Sequence, residues 1–80
     1  MADGVSFDNA RRLAEVTVPD LWLRYFTLGG TATPVELGRF LRGGQEFGPG
    51  QRDVLAHALN ERFVELEMNH PMPYAGAADD

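Results

Sequence analysis

The segment Asp20–Leu28 constrains this chain most, because it carries more apolar side chains than one face of a helix can bury. On a helix that turns about 100° per residue, those side chains cover an arc of well over half the circumference. Outside that arc, only Arg24 and Thr27 are left for water. A helix that is apolar nearly all round is normally buried. We therefore expect the other segments to pack around this one, and a second copy of the chain to cover what they leave.

Length and composition limit the class of protein. Eighty residues predict one domain, near the lower limit for a core without disulfides or metal. The chain has no cysteine, which excludes disulfides and thiolate sites, and it has no signal-peptide pattern or membrane-length apolar run. We expect a soluble cytoplasmic protein that does not bind membranes. The net charge of −5 disfavours nonspecific binding to nucleic acid or anionic lipid.

The hydrophobic spacing predicts an all-α fold, and no segment alternates as a strand does. Gly29-Gly30 and Gly43-Gly44 end the second and third helices, and Thr33-Pro34-Val35-Glu36 has the pattern of a capping box. Short connections containing Gly or Pro favour neighbouring, roughly antiparallel helices in a compact four-helix domain. A helix-turn-helix-like crossing of the second and third helices is the alternative. The predicted helices span 6–16, 19–28, 34–42 and 51–67, the first of them capped by Ser6.

The two ends of the chain are expected to lie outside this helical domain, which spans residues 6–74. Residues 1–5 should form a flexible N-terminus. Prolines make the segment 70–74 extended, with Met72 and Tyr74 laid back over the bundle, and residues 75–80 should form a disordered acidic tail.

The predicted core combines the central helix with one stripe from each of the others, and Phe47 is expected to anchor the loop before the fourth helix. The outer face of the fourth helix should carry Asp53, His57, Asn60, Glu61 and Glu65. The core residues are Leu13, Leu21, Trp22, Tyr25, Phe26, Leu28, Leu37, Phe40, Leu41, Leu55, Leu59, Phe63 and Leu66.

No residue pattern indicates an enzyme. His57 has Asp53 and Glu61 one turn away on either side, but a zinc site needs three or four ligands and no second histidine or cysteine is near. His70 lies far from it in a proline-rich segment. Nucleophile, P-loop and dinucleotide motifs are not found. We therefore predict no catalytic residue, no metal site and no cofactor.

Surplus apolar surface on the central helix favours a small regulatory or adaptor protein that acts through protein contacts. After its neighbours are packed, Leu23 still points elsewhere, and Arg24 beside it can pair with an acidic partner. Trp22 and Tyr74 are the other candidate interaction residues, since aromatic side chains dominate interface energies. The partner is unknown, and self-association as a homodimer is favoured over a monomer because it buries the leftover arc.

The alternative function is a helix-turn-helix-like transcriptional regulator. In that interpretation the helix at 34–42 enters the major groove of DNA, with Thr33, Glu36, Arg39 and Arg42 as contacts. The acidic net charge and the crowded aromatic helix before it count against this alternative.

Three segments carry a resemblance to a group of proteins. Leu21–Gly30, Val54–Phe63 and the His70-Pro-Met-Pro-Tyr74 ending resemble short uncharacterised helical proteins of actinobacteria. An arginine-only basic composition without isoleucine is consistent with a GC-rich genome. The resemblance implies an origin and a self-contained helical domain, and it transfers no functional residue.

Overall fold

The computed structural model describes residues 3–66, and it confirms the all-α prediction. Within this range there are four helices and no strand. No described helix is long and apolar enough to cross a membrane. The predicted segments 67–74 and 75–80 lie outside the described residues. The helices are α1 (Asp3–Leu13), α2 (Val18–Thr27), α3 (Pro34–Leu41) and α4 (Pro49–Glu65).

Threonine caps begin α2 and α3, as the sequence indicates. The Thr17 hydroxyl accepts a hydrogen bond from the backbone N–H of Asp20 at 3.2 Å. At α3 the capping box is complete, because Thr33 accepts from the Glu36 N–H at 3.1 Å while the Glu36 carboxylate accepts from the Thr33 N–H at 2.8 Å. These bonds satisfy backbone donors that the first helical turn leaves unpaired.

Three helices end in the same Schellman arrangement, in which the residue after the cap adopts a left-handed conformation. Gly29 and Gly43 occupy this position after α2 and α3, with φ of 104° and 83°. After α1 the position belongs to Glu15, with φ of 58°. The Glu15 N–H donates to the Arg12 carbonyl at 3.1 Å, and the Val16 N–H donates to the Arg11 carbonyl at 3.3 Å.

The bounds of α1 differ from the predicted 6–16. The helix begins at Asp3, so residues 3–5 are its first turn rather than part of a flexible N-terminus. The reason is tertiary: Gly4 is buried against α3, where a Cβ would lie 1.7 Å from the carbonyl oxygen of Phe40. Glycine thus lets the two backbones approach, and this contact fixes where α1 lies. Ser6 lies inside α1 rather than at its N-cap.

Helix packing follows chain order only in part, so the expectation that neighbours in sequence pack together holds for α2 and α3 alone among the extensive contacts. α1 packs mainly on α3, and α2 packs on α3 and α4 to a similar extent. Arg62 strengthens the approach of α4 to α1, because its Nε donates to the Ala14 carbonyl at the end of α1 at 3.0 Å.

Much of the predicted core is buried, and the exceptions lie on α1, α2 and α4. Leu13, Phe26 and Leu28 are exposed, whereas Trp22 and Leu66 are partly buried. Asn60, expected on the outer face, is buried because α4 is covered by both α1 and α2. The buried apolar residues are Phe7, Ala10, Ala14, Val16, Leu21, Tyr25, Leu37, Phe40, Leu41, Phe47, Leu55, Ala56, Ala58, Leu59 and Phe63.

Candidate interaction surface

Tyr25 fixes α2 to the turn that follows it. Its ring is fully buried, and its hydroxyl accepts hydrogen bonds from the backbone N–H groups of Thr31 at 3.1 Å and Ala32 at 2.8 Å. The same hydroxyl donates to the side-chain oxygen of Gln51 on α4. Gly30 lies against the ring, where a Cβ would come within 2.3 Å of it. One tyrosine therefore joins α2, the connecting turn and α4.

Trp22 is hydrogen-bonded through the edge of its indole ring, and part of the ring lies on the surface. Its Nε1 donates to the Ala32 carbonyl at 2.8 Å, which satisfies the polar end of the indole. The ring stacks on Phe26, with ring centroids 5.0 Å apart and planes at 18°. The predicted role of Trp22 as a buried core residue is thus replaced by a fixed, partly exposed position.

Leu23 and Phe26 extend this exposed area along α2. Leu23 is 56% exposed and Phe26 is 57% exposed, which agrees with the expectation for Leu23 and corrects the one for Phe26. With a turn of about 100° per residue, Pro19, Trp22, Leu23 and Phe26 project within a single arc of roughly 100°. We name these residues the α2 apolar face. The charged residues of α2, Asp20 and Arg24, project on another side.

Arg24 is bound within the chain, which corrects the expectation that it pairs with an acidic partner. Its Nη1 and Nη2 donate to the two carboxylate oxygens of Glu65 at 2.9 and 2.7 Å, and Glu61 lies 3.9 Å away. The hydrogen bonds to Glu65 raise the pKa of Arg24, and hydrogen bonding to Arg24 lowers the pKa of Glu65. Arg24 therefore positions α2 on α4 and borders the α2 apolar face. Tyr74, the remaining candidate, lies outside the described residues.

The candidate DNA contacts divide into two pairs. The side chains of Thr33 and Glu36 are engaged in the capping box, where each accepts a hydrogen bond from the other's backbone N–H, although Thr33 is exposed. Arg39 and Arg42 are exposed on the outer side of α3, as predicted. Of these two arginines, Arg42 lies near Arg11 and Arg12 of α1.

Sequence reasoning missed a groove between α1 and α3. Arg11 and Arg12 of α1 line it together with Arg42, and the apolar residues Val35 and Gly38 of α3 form part of its floor. We name it the arginine groove. The arginine spacing in each helix is visible in the sequence, but no local signal shows that α1 packs on α3. The further lining residues are Asp8, Val18, Pro34 and Leu41.

The remaining candidate in the described range is His57, considered as a metal ligand. His57 is exposed on α4 and takes part in interactions there. Residues 3–66 contain no group of three or more His, Asp or Glu side chains that could hold a metal ion. His70 lies outside this range.

Comparisons with known proteins found no relative of this chain. No protein-family model, no curated protein and no solved structure matches the chain.

Proposed function

We propose that this protein is a small non-enzymatic regulatory or adaptor module that acts through protein contacts and self-associates through the α2 apolar face. The observation that carries the proposal is the exposure of Leu23 and Phe26, at 56% and 57%, beside the stacked ring of Trp22. Adjacent exposed apolar side chains on one helix are typical of an interaction site.

A second copy of the chain is the occupant that the uncharged α2 apolar face favours. The chain carries a net charge of −5, so two copies repel one another across most of their surfaces. The α2 apolar face contains no charged side chain, and Arg24 is held away from it by Glu65. A two-fold contact places this face against itself, which pairs apolar surface with apolar surface without requiring opposite charges.

The size of the α2 apolar face sets the expected strength of dimerisation. Ten residues make α2 about 15 Å long, so a contact between two copies of α2 buries less than the roughly 800 Å² per partner of a standard interface. We expect a weak, concentration-dependent homodimer rather than an obligate one.

Sedimentation equilibrium of the full chain tests this proposal. Leu23→Glu places a carboxylate in the face, and because Leu23 is exposed the variant should remain folded and become monomeric. Val64→Glu is the matched control, since Val64 is 73% exposed on α4 and the substitution adds the same charge. A strictly monomeric wild type, or a Leu23→Glu variant that dimerises like wild type, would overturn the proposal.

DNA binding is the second candidate, and the geometry gives it less support. The N-terminal turn of α3, which a helix-turn-helix presents to the bases, carries the apolar Val35 together with Thr33 and Glu36, which hydrogen-bond each other in the capping box.

We further propose that the protein is cytoplasmic and comes from an actinobacterium. The composition supports both parts of this proposal, since the chain contains neither cysteine nor lysine.

A further inference from the structure

The arginine groove concentrates positive charge in an acidic chain. Arg11, Arg12, Arg39 and Arg42 are four of its seven basic residues, and all lie on α1 or on the outer side of α3. The groove itself is lined by three of these arginines and one carboxylate, that of Asp8. Its local charge is therefore opposite in sign to the net charge of −5.

The single carboxylate in the groove is shared. Asp8 accepts from Arg11 Nε at 2.8 Å and from Arg12 Nη2 at 2.9 Å, so one negative charge faces two guanidinium groups. The Arg12 side chain is 70% exposed, and Arg42 is exposed with its guanidinium over Gly38. Donors on both walls are thus available to carboxylates of another molecule.

The floor of the groove is apolar and is exposed at Val35. Val35 is 61% exposed, whereas Gly38 one turn later is buried, with the Arg42 guanidinium over it. Since residues three, four and seven apart share one face of a helix, Val35, Gly38, Arg39 and Arg42 lie along the same side of α3. An apolar side chain placed over Val35 would have guanidinium groups on both sides of it.

We propose that the arginine groove binds an acidic peptide segment of a protein partner, anchored by one apolar side chain over Val35 and flanked by carboxylates that pair with Arg12 and Arg42. Charge complementarity and the exposed valine argue for a peptide over DNA, whose phosphates use the arginines but leave Val35 without a partner. This site is separate from the α2 apolar face.

The test uses the full chain, labelled with ¹⁵N, and three probes. The first is a short synthetic peptide of Glu and Asp residues with one central Leu, the second has Ser in place of that Leu, and the third is a DNA duplex. We expect the first peptide to shift the amide signals of Val35, Gly38 and Arg42, to bind more weakly as salt rises, and to bind better than the second.

Substitutions identify the residues responsible. Arg42→Gln should weaken binding of the first peptide by about tenfold, the effect of losing one charge pair worth about 1.4 kcal/mol. Gly50→Glu is the charge-matched control, because it also lowers the net charge by one but lies on α4, where a Cβ meets no atom within 4 Å. It should bind as wild type does. Leu23→Glu should also bind the peptide normally, which separates this proposal from dimerisation.

Other results would overturn the proposal. The proposal is wrong if the first peptide does not bind at low salt, or if it shifts amide signals outside the groove. It is also wrong if Gly50→Glu weakens peptide binding as much as Arg42→Gln does. Equal binding of the Leu and Ser peptides would show that Val35 does not anchor an apolar side chain. Binding of the DNA duplex in preference to both peptides, with loss in Arg42→Gln, would assign the groove to nucleic acid instead.

Discussion

Arg24 on α2 and Glu65 in the last turn of α4 form two parallel hydrogen bonds, at 2.9 and 2.7 Å, across 41 residues of sequence. Arg62, one turn before Glu65, also approaches its carboxylate at 3.3 Å. The end of α4 is therefore tied to the helix that presents the α2 apolar face, and the orientation of that face depends on a charged pair beside it.

The pair should make stability depend on pH in the acid range. Because hydrogen bonding to Arg24 lowers the folded-state pKa of Glu65, its contribution is present above the unfolded value of about 4.3 and is lost as pH falls through the folded pKa. Glu65→Gln should lower the melting temperature at neutral pH, and the difference from wild type should shrink in acid. Thermal unfolding at several pH values measures this, with Glu46→Gln as the control. An equal difference at all pH values would contradict it.

Tyr25→Phe should destabilise the fold by about 1–3 kcal/mol, because the Ala32 N–H loses its acceptor and the Thr31 N–H keeps only the side-chain oxygen of Gln51, while the ring volume is kept. Thr27→Ala is a suitable control, since its hydroxyl bonds an exposed carbonyl of its own helix. Urea unfolding gives both values. Equal stabilities of Tyr25→Phe and wild type would show that the hydroxyl does not hold the turn.

Glu15→Gly should stabilise the protein by about 1 kcal/mol. Glu15 adopts φ of 58°, a conformation that is costly for residues with a Cβ and accessible to glycine. The converse change, Gly29→Ala at φ of 104°, should destabilise by a similar amount. Comparison of the two melting temperatures checks the argument, which fails if both variants shift in the same direction.

Gly50→Ala should stabilise by about 0.5 kcal/mol, because Gly50 lies in the first turn of α4 with open space around its Cβ position. Gly4→Ala should have the opposite effect on stability. Its Cβ would overlap the carbonyl oxygen of Phe40, so α1 must shift, and we expect a loss of about 1–3 kcal/mol. Chemical denaturation of the two variants distinguishes a helix-propensity effect from a packing effect.

Local signals predicted the helices because their causes are local. Thr33 with Glu36, and Gly29 after α2, act within a few residues of chain, and the structure confirms both. The predicted start of α1 was wrong because Gly4 acts through a contact with Phe40, and no local sequence pattern reveals that contact.

The candidate surfaces were predictable only in part. The surplus of apolar side chains on α2 identified Leu23 as exposed, but the predicted core wrongly included Phe26, which lies next to Leu23 on the helix surface and is equally exposed. The partner of Arg24 is Glu65, far away in sequence. The arginine groove depends on the pairing of α1 with α3, which the short connections did not indicate.

The order in which helices pack has a consequence for biosynthesis. α1 rests mainly on α3, and α2 rests on both α3 and α4, so a nascent chain that has released only α1 and α2 from the ribosome has none of these packing partners available. Gln51 and Arg62, which bond the α2–α3 turn and the end of α1, are translated still later. Folding should therefore wait until α4 has left the exit tunnel and then occur as one cooperative event.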